Sequence, residues 1–402
     1  MSKTMSVFVL NQRDKPLMPT TPRFARTLLQ AGKARIVDHT LFTIQLAYAT
    51  GETRQEIIAG MDSGFQTIGV SAVSQNKELF SGEFTLRTNV SSNMTSKRMY
   101  RKNRRQRKTR YRPARFNNRT SKHRQKLAPT IKQTVYAHLR VLQKLEENLP
   151  IARIRIETNT FDPHKLKNPA VEGIGYQQGD QFGYENVKAY VLSRDQYRCY
   201  FASKTSKCFK TLHVHHLIYR SQGGSDRAKN LLTLCEKHHK QVHKGTIKIP
   251  ASQIQHKSLK AATMMNIVKS QLLKQLPNAE ETFGYITKAK RQQLGLEKSH
   301  AIDAFIVALG VTQARTRIKF FMFKRKNNRQ LQRNRKGYKP SIRNQRYTLQ
   351  PHDLVKFNEK MYRVVGVQNY GKYVKLTDGT NRIVKAIKFI TVIFHQKSLI
   401  AL

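Results

Sequence analysis

The chain has 402 residues, of which 39% are hydrophobic, and this length is enough for two or three folded domains. Its 75 Lys and Arg residues outnumber 24 Asp and Glu residues, and a net charge of +51 predicts a polyanionic partner such as nucleic acid. A basic protein bound to a membrane surface or a ribosome is the alternative, but such a protein needs no clustered acids. Three cysteines exclude a disulfide framework. No signal peptide or membrane-spanning run is expected, because no apolar segment is long enough.

The N-terminal region contains short apolar runs separated by turn residues. In residues 1–50 these runs flank the Pro-rich turn Lys15–Pro19, which predicts a strand, a turn, a short helix and a strand. Residues 56–86 contain the segments EIIAGMDSG, TIGVSAVS and LFSGEFTL, which predict consecutive strands of a hairpin arrangement. The apolar part of the first segment is followed by Asp62.

The composition changes at Lys97, and half of the residues from there to Lys126 are Lys or Arg while none is acidic. Nothing breaks a helix before Pro113, yet like charges one turn apart would destabilise such a helix on its own. A disordered basic tail is the alternative, but tails lie at termini and this segment lies between two apolar blocks. We therefore predict a helix that contacts nucleic-acid phosphates through Arg101, Arg104, Arg105, Arg107, Lys108, Arg110 and Arg112.

The remaining chain alternates apolar and basic segments. Residues 130–149 have helical spacing, Ile151 to Ile156 form a predicted strand that ends at Glu157, and residues 258–308 are predicted to be mostly helical. Residues 315–346 are again basic and contain no acid. Alternating segments in 352–396 are separated by Asn, Gly and Asp-Gly turns, which suggests a small β-barrel.

Residues 183–245 contain histidines, an asparagine and a Gly-Gly turn in a specific order. His215 and His216 end a predicted strand, Asn230 precedes an apolar run, and His239 lies in a predicted helix. His215 and His239 can offer neutral imidazoles to one divalent cation, while His216 points to the opposite side of the strand and can accept a proton from water. Asn230 would fix the loop. The pattern resembles the HNH nuclease family and its ββα-metal fold, although a structural zinc site is the alternative for a His cluster beside cysteines.

A zinc site is where this chain departs from many HNH domains, which carry a CxxC pair before and after the active site. Here Cys199 is paired by spacing with Ala202, and Cys235 with His238, so one ligand is missing. Cys208 could complete a set of three cysteines and one histidine, although its spacing is unusual.

Three acids occupy positions that are costly without compensation. Asp62 and Glu157 each end an apolar strand, and Asp303 follows His300 by three residues on the same face of a predicted helix. Each acid alone is most simply a cap or turn residue. If they converge, their repulsion implies cations, and two-metal phosphodiester hydrolysis is a common use of such a group. Their order resembles the three split segments of a RuvC nuclease, which has an RNase H-like fold.

Taken together, the motifs resemble the IscB family of transposon-encoded RNA-guided nucleases across essentially the whole chain. The fold implied by the resemblance is a multidomain α/β protein with a split RNase H-like domain, an Arg-rich bridge helix, an inserted ββα-metal domain and a small C-terminal β-barrel. The implied domains are an N-terminal PLMP domain at 1–52, RuvC segments at 53–94, 128–180 and 249–314, the bridge helix at 95–127, the HNH domain at 181–248, a basic linker at 315–346 and the barrel at 347–402, which is expected to contact the DNA motif or RNA.

The resemblance implies an endonuclease in which the HNH site cuts the guide-paired DNA strand and the RuvC site cuts the displaced strand. It assigns Asp62, Glu157, His300 and Asp303 to the RuvC site with two Mg²⁺ ions, and His215, His216, Asn230 and His239 to the HNH site with one Mg²⁺ ion. Mn²⁺ can substitute in this scheme. The implied partners are a long structured guide RNA and double-stranded DNA, bound by a monomeric protein in the prokaryotic cytoplasm, near the nucleoid. Ser63 replaces a proline common in relatives, which we expect to be harmless.

Two other functions are consistent with parts of the sequence. A guide-independent HNH endonuclease of the homing or restriction type would need neither the split acids nor the bridge helix. A catalytically inactive accessory protein that binds nucleic acid would be expected to have lost one of the acids or His216, and all of them are present.

Overall fold

The computed structural model describes residues 6–106, 127–158, 162, 165, 169–179, 181–202, 208, 211–222, 224–250, 260–324 and 347–402. These residues form two compact units, one drawn from 1–159 and 265–402 and the other from 160–264. None of the helices in these ranges combines the length and the apolar character needed to cross a membrane.

The elements of the chain up to residue 159 are β1 (Phe8–Leu10), α1 (Pro22–Gln30), β2 (Ala34–Asp38), β3 (Thr43–Leu46), β4 (Ile58–Asp62), β5 (Thr67–Val73), β6 (Glu78–Thr85), α2 (Val90–Gln106), α3 (Pro129–Glu146) and β7 (Arg153–Thr158). The second unit contains α4 (Val187–Arg194), β8 (Leu212–His216), β9 (Leu231–Cys235) and α5 (Glu236–Lys244). The elements that follow are α6 (Lys260–Gln275), β10 (Glu280–Phe283), α7 (Gly284–Gln293), α8 (His300–Val307), β11 (Lys319–Phe323), β12 (Leu354–Phe357), β13 (Lys360–Gln368), β14 (Tyr373–Thr377), β15 (Arg382–Ala386), β16 (Thr391–Phe394) and β17 (Leu399–Ala401).

The N-terminal residues form a three-stranded sheet in the order β1, β3, β2, with α1 beside it. Helix α1 begins where the Thr21 side chain accepts a hydrogen bond from the Phe24 amide, and Pro22 occupies its first turn, where no amide donor is needed. Leu28 of this helix packs with Val9 and Ile44 of the sheet in a small apolar core. The predicted sequence of strand, turn, helix and strand is therefore present, with one strand more than predicted.

The larger sheet has seven strands in the order β10, β7, β4, β5, β6, β11, β17. The central strands β4, β5 and β6 form an antiparallel meander, while β7 lies parallel to β4 and β10 lies parallel to β7. These strands come from segments that are far apart in the sequence, so the sheet is held together by contacts between distant parts of the chain. The three segments predicted at 53–94, 128–180 and 249–314 all contribute to it.

Helices cover both faces of this sheet. On one face, α3 contributes Val141, Leu142 and Leu145 to the main core, where they join Met61 of β4 and Ile156 of β7. On the other face, α8 lies directly on β4 and β5. A Cβ atom at Gly60 would lie 2.2 Å from the Ala304 carbonyl oxygen, and one at Gly69 would lie 1.8 Å from the carbonyl oxygen of His300. Glycine is therefore required at both positions for α8 to approach the sheet so closely.

The basic segment begins as the helix α2, which starts at Val90 rather than at the predicted residue 95. Arg101 and Arg105 are exposed on it. The side chain of Arg104 lies outside the described part of the structure, as do the predicted contact residues Arg107, Lys108, Arg110 and Arg112. Their role in binding phosphates remains a prediction.

The C-terminal residues differ from the prediction in two respects. The segment predicted as a basic linker at 315–346 begins with β11, which lies inside the large sheet between β6 and β17. Strands β12 to β16 form a five-stranded antiparallel sheet in the order β15, β14, β13, β12, β16, whereas β17 leaves it and pairs with β11. Phe321 and Phe323 are buried, which explains why this short apolar run forms a strand despite its basic surroundings. A closed barrel remains a prediction.

The second unit is a small α/β structure. Strands β8 and β9 pair antiparallel, with His216 opposite Leu231, and α4 and α5 pack against them. Helix α5 ends at Gly245, which has the left-handed backbone conformation (φ 77°) that commonly terminates helices. Two strands followed by a helix agree with the predicted ββα arrangement.

Candidate active sites

The predicted acids of the large sheet meet at the ends of its parallel strands. Asp62 ends β4 and lies directly opposite Glu157 of β7. Because neighbouring residues in register point to the same face of a sheet, the two carboxylates lie side by side. Both residues are buried, as is Asp303 on α8. The Nδ1 atom of His300, at the start of α8, lies 2.6 Å from Oδ2 of Asp62 although the two residues are 238 positions apart. The structure thus brings together all four predicted residues.

The start of α8 is fixed by side chains that the sequence motifs did not single out. The Ser299 hydroxyl accepts a hydrogen bond from the Ile302 amide and caps the helix. Oε1 of Glu83, on β6, accepts one from the Ala301 amide at 3.1 Å. The Ser63 hydroxyl donates to the Glu157 carbonyl oxygen at 2.6 Å, which ties the ends of β4 and β7 together. Ser63 therefore has a structural role of its own.

Two of the three buried carboxylates, Asp62 and Asp303, have a basic side chain beside them. Arg291 of α7 forms an ion pair with Asp303, and both side chains are largely buried. Burial raises the pKa of Asp62, and the charge of Asp303 adds to that shift, although the hydrogen bond from His300 opposes it. The same hydrogen bond raises the pKa of His300. A bound cation would favour ionised Asp62, so the donor set suits hard divalent cations, which prefer carboxylate oxygens.

Arg291 and Glu83 had no sequence signal that separates them from other charged residues. Arg291 is one of several basic residues in α7, and its significance comes only from the packing of α7 beside α8. Glu83 lies in a strand that had been predicted only as part of a hairpin. Both are visible only once the long-range pairing of the sheet is known.

The second unit brings three imidazoles together. One ring nitrogen from each of His215, His239 and His243 lies within 4.8 Å of the others. Nδ1 of His215 is buried, and no hydrogen-bond partner for it is found among the described residues. Burial lowers the pKa of His215 to about 4, and the neighbouring imidazoles act in the same direction. Burial also lowers the pKa of His239, and the neutral imidazole is the form that binds metal ions.

His243 was missed by the sequence analysis, although its spacing offered a signal. It follows His239 by four residues, which places both on the same face of α5. Its ring stacks on Tyr219 with the centroids 5.5 Å apart, and His213 stacks on His239 at 5.2 Å. These contacts hold the orientation of two of the three imidazoles.

Asn230 lies in the loop between β8 and β9, immediately before β9. Its side chain is fully buried and makes three hydrogen bonds: its Oδ1 accepts from the Ile218 amide, and its Nδ2 donates to the carbonyl oxygens of Ile218 and Ser225. It therefore ties together the two ends of the loop between β8 and β9. His216 points away from the three clustered imidazoles, and its Nε2 lies 2.8 Å from Oδ1 of Asp226 in this loop.

A separate group of ligands is formed by the three cysteines and one histidine. The Sγ atoms of Cys199, Cys208 and Cys235 lie 3.3, 3.7 and 3.3 Å from Nδ1 of His238. All four ligand atoms lie within 4.8 Å of one another, so this group could hold a metal ion. Cys208 supplies the ligand that is missing from the first CxxC pair, in which Ala202 replaces the second cysteine. The histidines at 215, 239 and 243 are thus distinct from these cysteine ligands.

Two family models match the chain. The model described as RRXRR protein matches residues 7–179, and the model described as HNH endonuclease matches residues 201–245. No curated protein matches the chain. The HNH endonuclease match includes the three clustered imidazoles, His216 and Asn230, and it supports nuclease activity with nucleic acid as the partner. RRXRR is a family found in IscB-type proteins, and the two matches in this order fit the IscB architecture, which confirms the resemblance predicted from the motifs.

Proposed function

We propose that the chain is an RNA-guided DNA endonuclease with two independent sites. The HNH site cuts the strand paired with the guide RNA, and the carboxylate site, of RuvC type, cuts the displaced strand. The observation that carries this proposal is the meeting of Asp62, Glu157 and His300 at one edge of the large sheet from three distant segments. A guide-independent HNH enzyme has no need for this arrangement.

At the carboxylate site, the proposed ligands are Asp62, Glu157 and Asp303. Two Mg²⁺ ions, or Mn²⁺ in their place, would activate the attacking water and stabilise the leaving oxygen when bound there. His300 hydrogen-bonds Asp62 and orients its carboxylate. Arg291 neutralises Asp303 in the structure and would have to yield part of that contact to a cation.

At the HNH site, His215, His239 and His243 would hold one divalent cation, for which the resemblance implies Mg²⁺, and this ion would stabilise the leaving oxygen of the scissile phosphodiester. His216 acts as the general base and takes a proton from the attacking water. Asn230 keeps the loop that faces His216 in place through its three hydrogen bonds. The cysteine group would hold a structural Zn²⁺, because thiolates and imidazole in a set of four are its usual ligands.

The charge distribution supports a large nucleic-acid partner. A net charge of +51 requires many phosphates for compensation, and guide-dependent enzymes recognise the backbone and shape of a heteroduplex while base pairing reads the sequence. We propose that a monomeric protein binds a long structured guide RNA and double-stranded DNA in the prokaryotic cytoplasm. The basic helix α2 with its exposed Arg101 and Arg105 is the proposed contact with phosphates.

The test is cleavage of DNA labelled separately on each strand, with the protein purified together with the RNA that it retains. Asp62→Ala should abolish cutting of the displaced strand only, and His216→Ala should abolish cutting of the guide-paired strand only. Two single variants that still cut both strands would overturn the assignment of two sites. Protein stripped of RNA that cuts the duplex equally well would support a guide-independent enzyme instead.

A further inference from the structure

His216, at the end of β8, has an acidic partner in the loop that follows it. Oδ1 of Asp226 lies 2.8 Å from Nε2 of His216 and 2.7 Å from Nε of Arg220. The hydrogen bonds from these two groups lower the pKa of Asp226, which is therefore ionised at neutral pH. An ionised carboxylate can only accept hydrogen bonds, so His216 presents a protonated Nε2 to it.

The position of Asp226 is set by the rest of the loop. The buried Asn230 donates to the carbonyl oxygen of Ser225, the residue that precedes Asp226, at 2.7 Å. The Gly224 amide donates to the Tyr219 carbonyl oxygen at 3.0 Å. A Cβ atom at Gly224 would lie 1.8 Å from the Ile218 carbonyl oxygen, so only glycine allows the two sides of the loop to come so close. The backbone that carries the exposed Asp226 carboxylate is therefore held in one position.

We propose that Asp226 is a positioning residue for His216. It accepts a hydrogen bond from Nε2 and thereby holds the ring in one tautomer and one orientation. In that tautomer Nδ1 carries no hydrogen, and it is the nitrogen that accepts the proton from the attacking water. Asn230 then serves His216 indirectly, because it places the loop that carries Asp226. This inference rests on the proposed role of His216 as the general base.

A residue that positions His216 can be distinguished by experiment from a residue that merely stabilises the loop. A positioning residue acts only through His216, so its removal has no effect once His216 is absent. A residue that holds the fold or the metal ligands in place affects the rate in either background. A double-mutant cycle between the two positions measures this difference directly.

The experiment measures the single-turnover rate of guide-paired strand cleavage by the protein with its RNA at saturating Mg²⁺. Asp226→Asn should lower the rate by about 10- to 100-fold, as loss of such a partner typically does. In the His216→Ala background the same substitution should change the residual rate by less than about twofold. Glu185→Gln is the matched control, because Glu185 is an exposed carboxylate of the same unit. An equal loss in both backgrounds, or no loss in the parent, would overturn the proposal.

A second readout applies when the residual rate of His216→Ala is too low to measure. The Mg²⁺ concentration for half-maximal rate and the melting temperature of Asp226→Asn are compared with those of the parent. A positioning role predicts a lower maximal rate with both quantities unchanged. A higher Mg²⁺ requirement with the rate restored at high Mg²⁺, or a lower melting temperature, would show a structural role. A fully active His216→Ala would instead overturn the proposed general base.

Discussion

The two candidate sites differ in how the chain builds them. The HNH site uses residues from one compact stretch, and its parts are a β-hairpin and the helix that follows it. The carboxylate site uses Asp62, Glu157 and α8, and it exists only when β4 pairs with β7 and α8 lies on the sheet. A local site depends on loop geometry and on its own metal ligands, whereas a site built from distant segments depends on the register and packing of a whole sheet.

The largest expected effect comes from substituting the glycine under α8. In Gly60→Ala the new Cβ would lie 2.2 Å from the Ala304 carbonyl oxygen and 2.4 Å from the Ala308 amide nitrogen, so α8 must move away. A displacement of about 1 Å costs about 100-fold in rate, and we expect at least that loss in cutting of the displaced strand. Cutting of the guide-paired strand should be affected much less. Strand-specific cleavage assays measure both.

Gly51→Ala is the matched control for this substitution, because a Cβ atom there meets nothing within 4 Å. Gly224→Ala is the reciprocal variant, since its Cβ would collide with the loop of the HNH site. It should reduce cutting of the guide-paired strand while the other strand is still cut. Equal loss on both strands in either variant would show that the two sites are not independent.

The second prediction concerns the cysteine group. Cys235 is fully buried and its thiol lies beside His238, so Cys235→Ser should weaken binding of a structural metal ion and destabilise the second unit. Because metal binding contributes directly to the folding of small units, we expect a loss of several kcal/mol in that unit. Metal content by mass spectrometry and a calorimetric scan would check this. A metal content and melting profile equal to the parent's would show that the group holds no metal.

The third prediction concerns a buried histidine beneath the large sheet. Burial lowers the pKa of His138 on α3 to about 4 from its ordinary value of 6.5. The unfolded chain therefore binds a proton at a higher pH than the folded chain. The contribution of the neutral, buried His138 to the free energy of unfolding is complete above pH 6.5. It is lost as the pH falls toward 4, by up to about 3 kcal/mol. Urea unfolding followed across this range measures the slope of stability against pH, and His138→Leu should make that slope shallower, while His215, whose pKa is also about 4, still contributes to it. An unchanged slope in the variant would contradict this cause.

The smallest expected effect is that of an exposed ion pair at the edge of the sheet. Arg153 on β7 lies 2.9 Å from Glu56 and 3.4 Å from Glu280 on β10, and all three side chains are substantially exposed. Water and salt screen such pairs, so Arg153→Gln should lower the free energy of unfolding by less than about 1 kcal/mol. A larger loss, measured by urea unfolding, would indicate that β10 is held mainly by these charges rather than by its backbone pairing with β7.

The sequence was most informative where the signal was local. The order of His215, His216, Asn230 and His239 predicted the strand, the loop and the helix of the second unit, and helical spacing could also have identified His243. Asp62 and Glu157 were predicted because an acid at the end of an apolar strand is unusual. Their assignment to one site came from the resemblance to a family, because the sequence of neither strand specifies which strand it pairs with.

The strands β10 and β11 were not predicted, because the composition of each segment or of its surroundings is unusual for a strand. Strand β10 has the sequence EETF, with only one buried residue, and it lies in a region predicted to be mostly helical. Strand β11 lies in a basic segment, and its apolar run was too short to distinguish from a linker. Arg291 and Asp226 carry no pattern of their own, because each gains its significance from a neighbour that only the folded chain supplies.

The pairing of the large sheet also has a consequence for the order in which the protein folds during synthesis. Strand β6 cannot pair with β11 until β11 has been synthesised. The Glu78 carboxylate on β6 likewise accepts a hydrogen bond from the Thr316 amide, which lies 238 residues later in the chain. Closing such long loops is slow, whereas a hairpin followed by a helix needs only short ones. We therefore expect the second unit to fold on the ribosome before β10, α8 and β11, which follow it in the chain, have joined the sheet that carries Asp62. Acquisition of the carboxylate site is then the later event, and under the proposed function it sets the time at which a newly made chain becomes able to cut both strands.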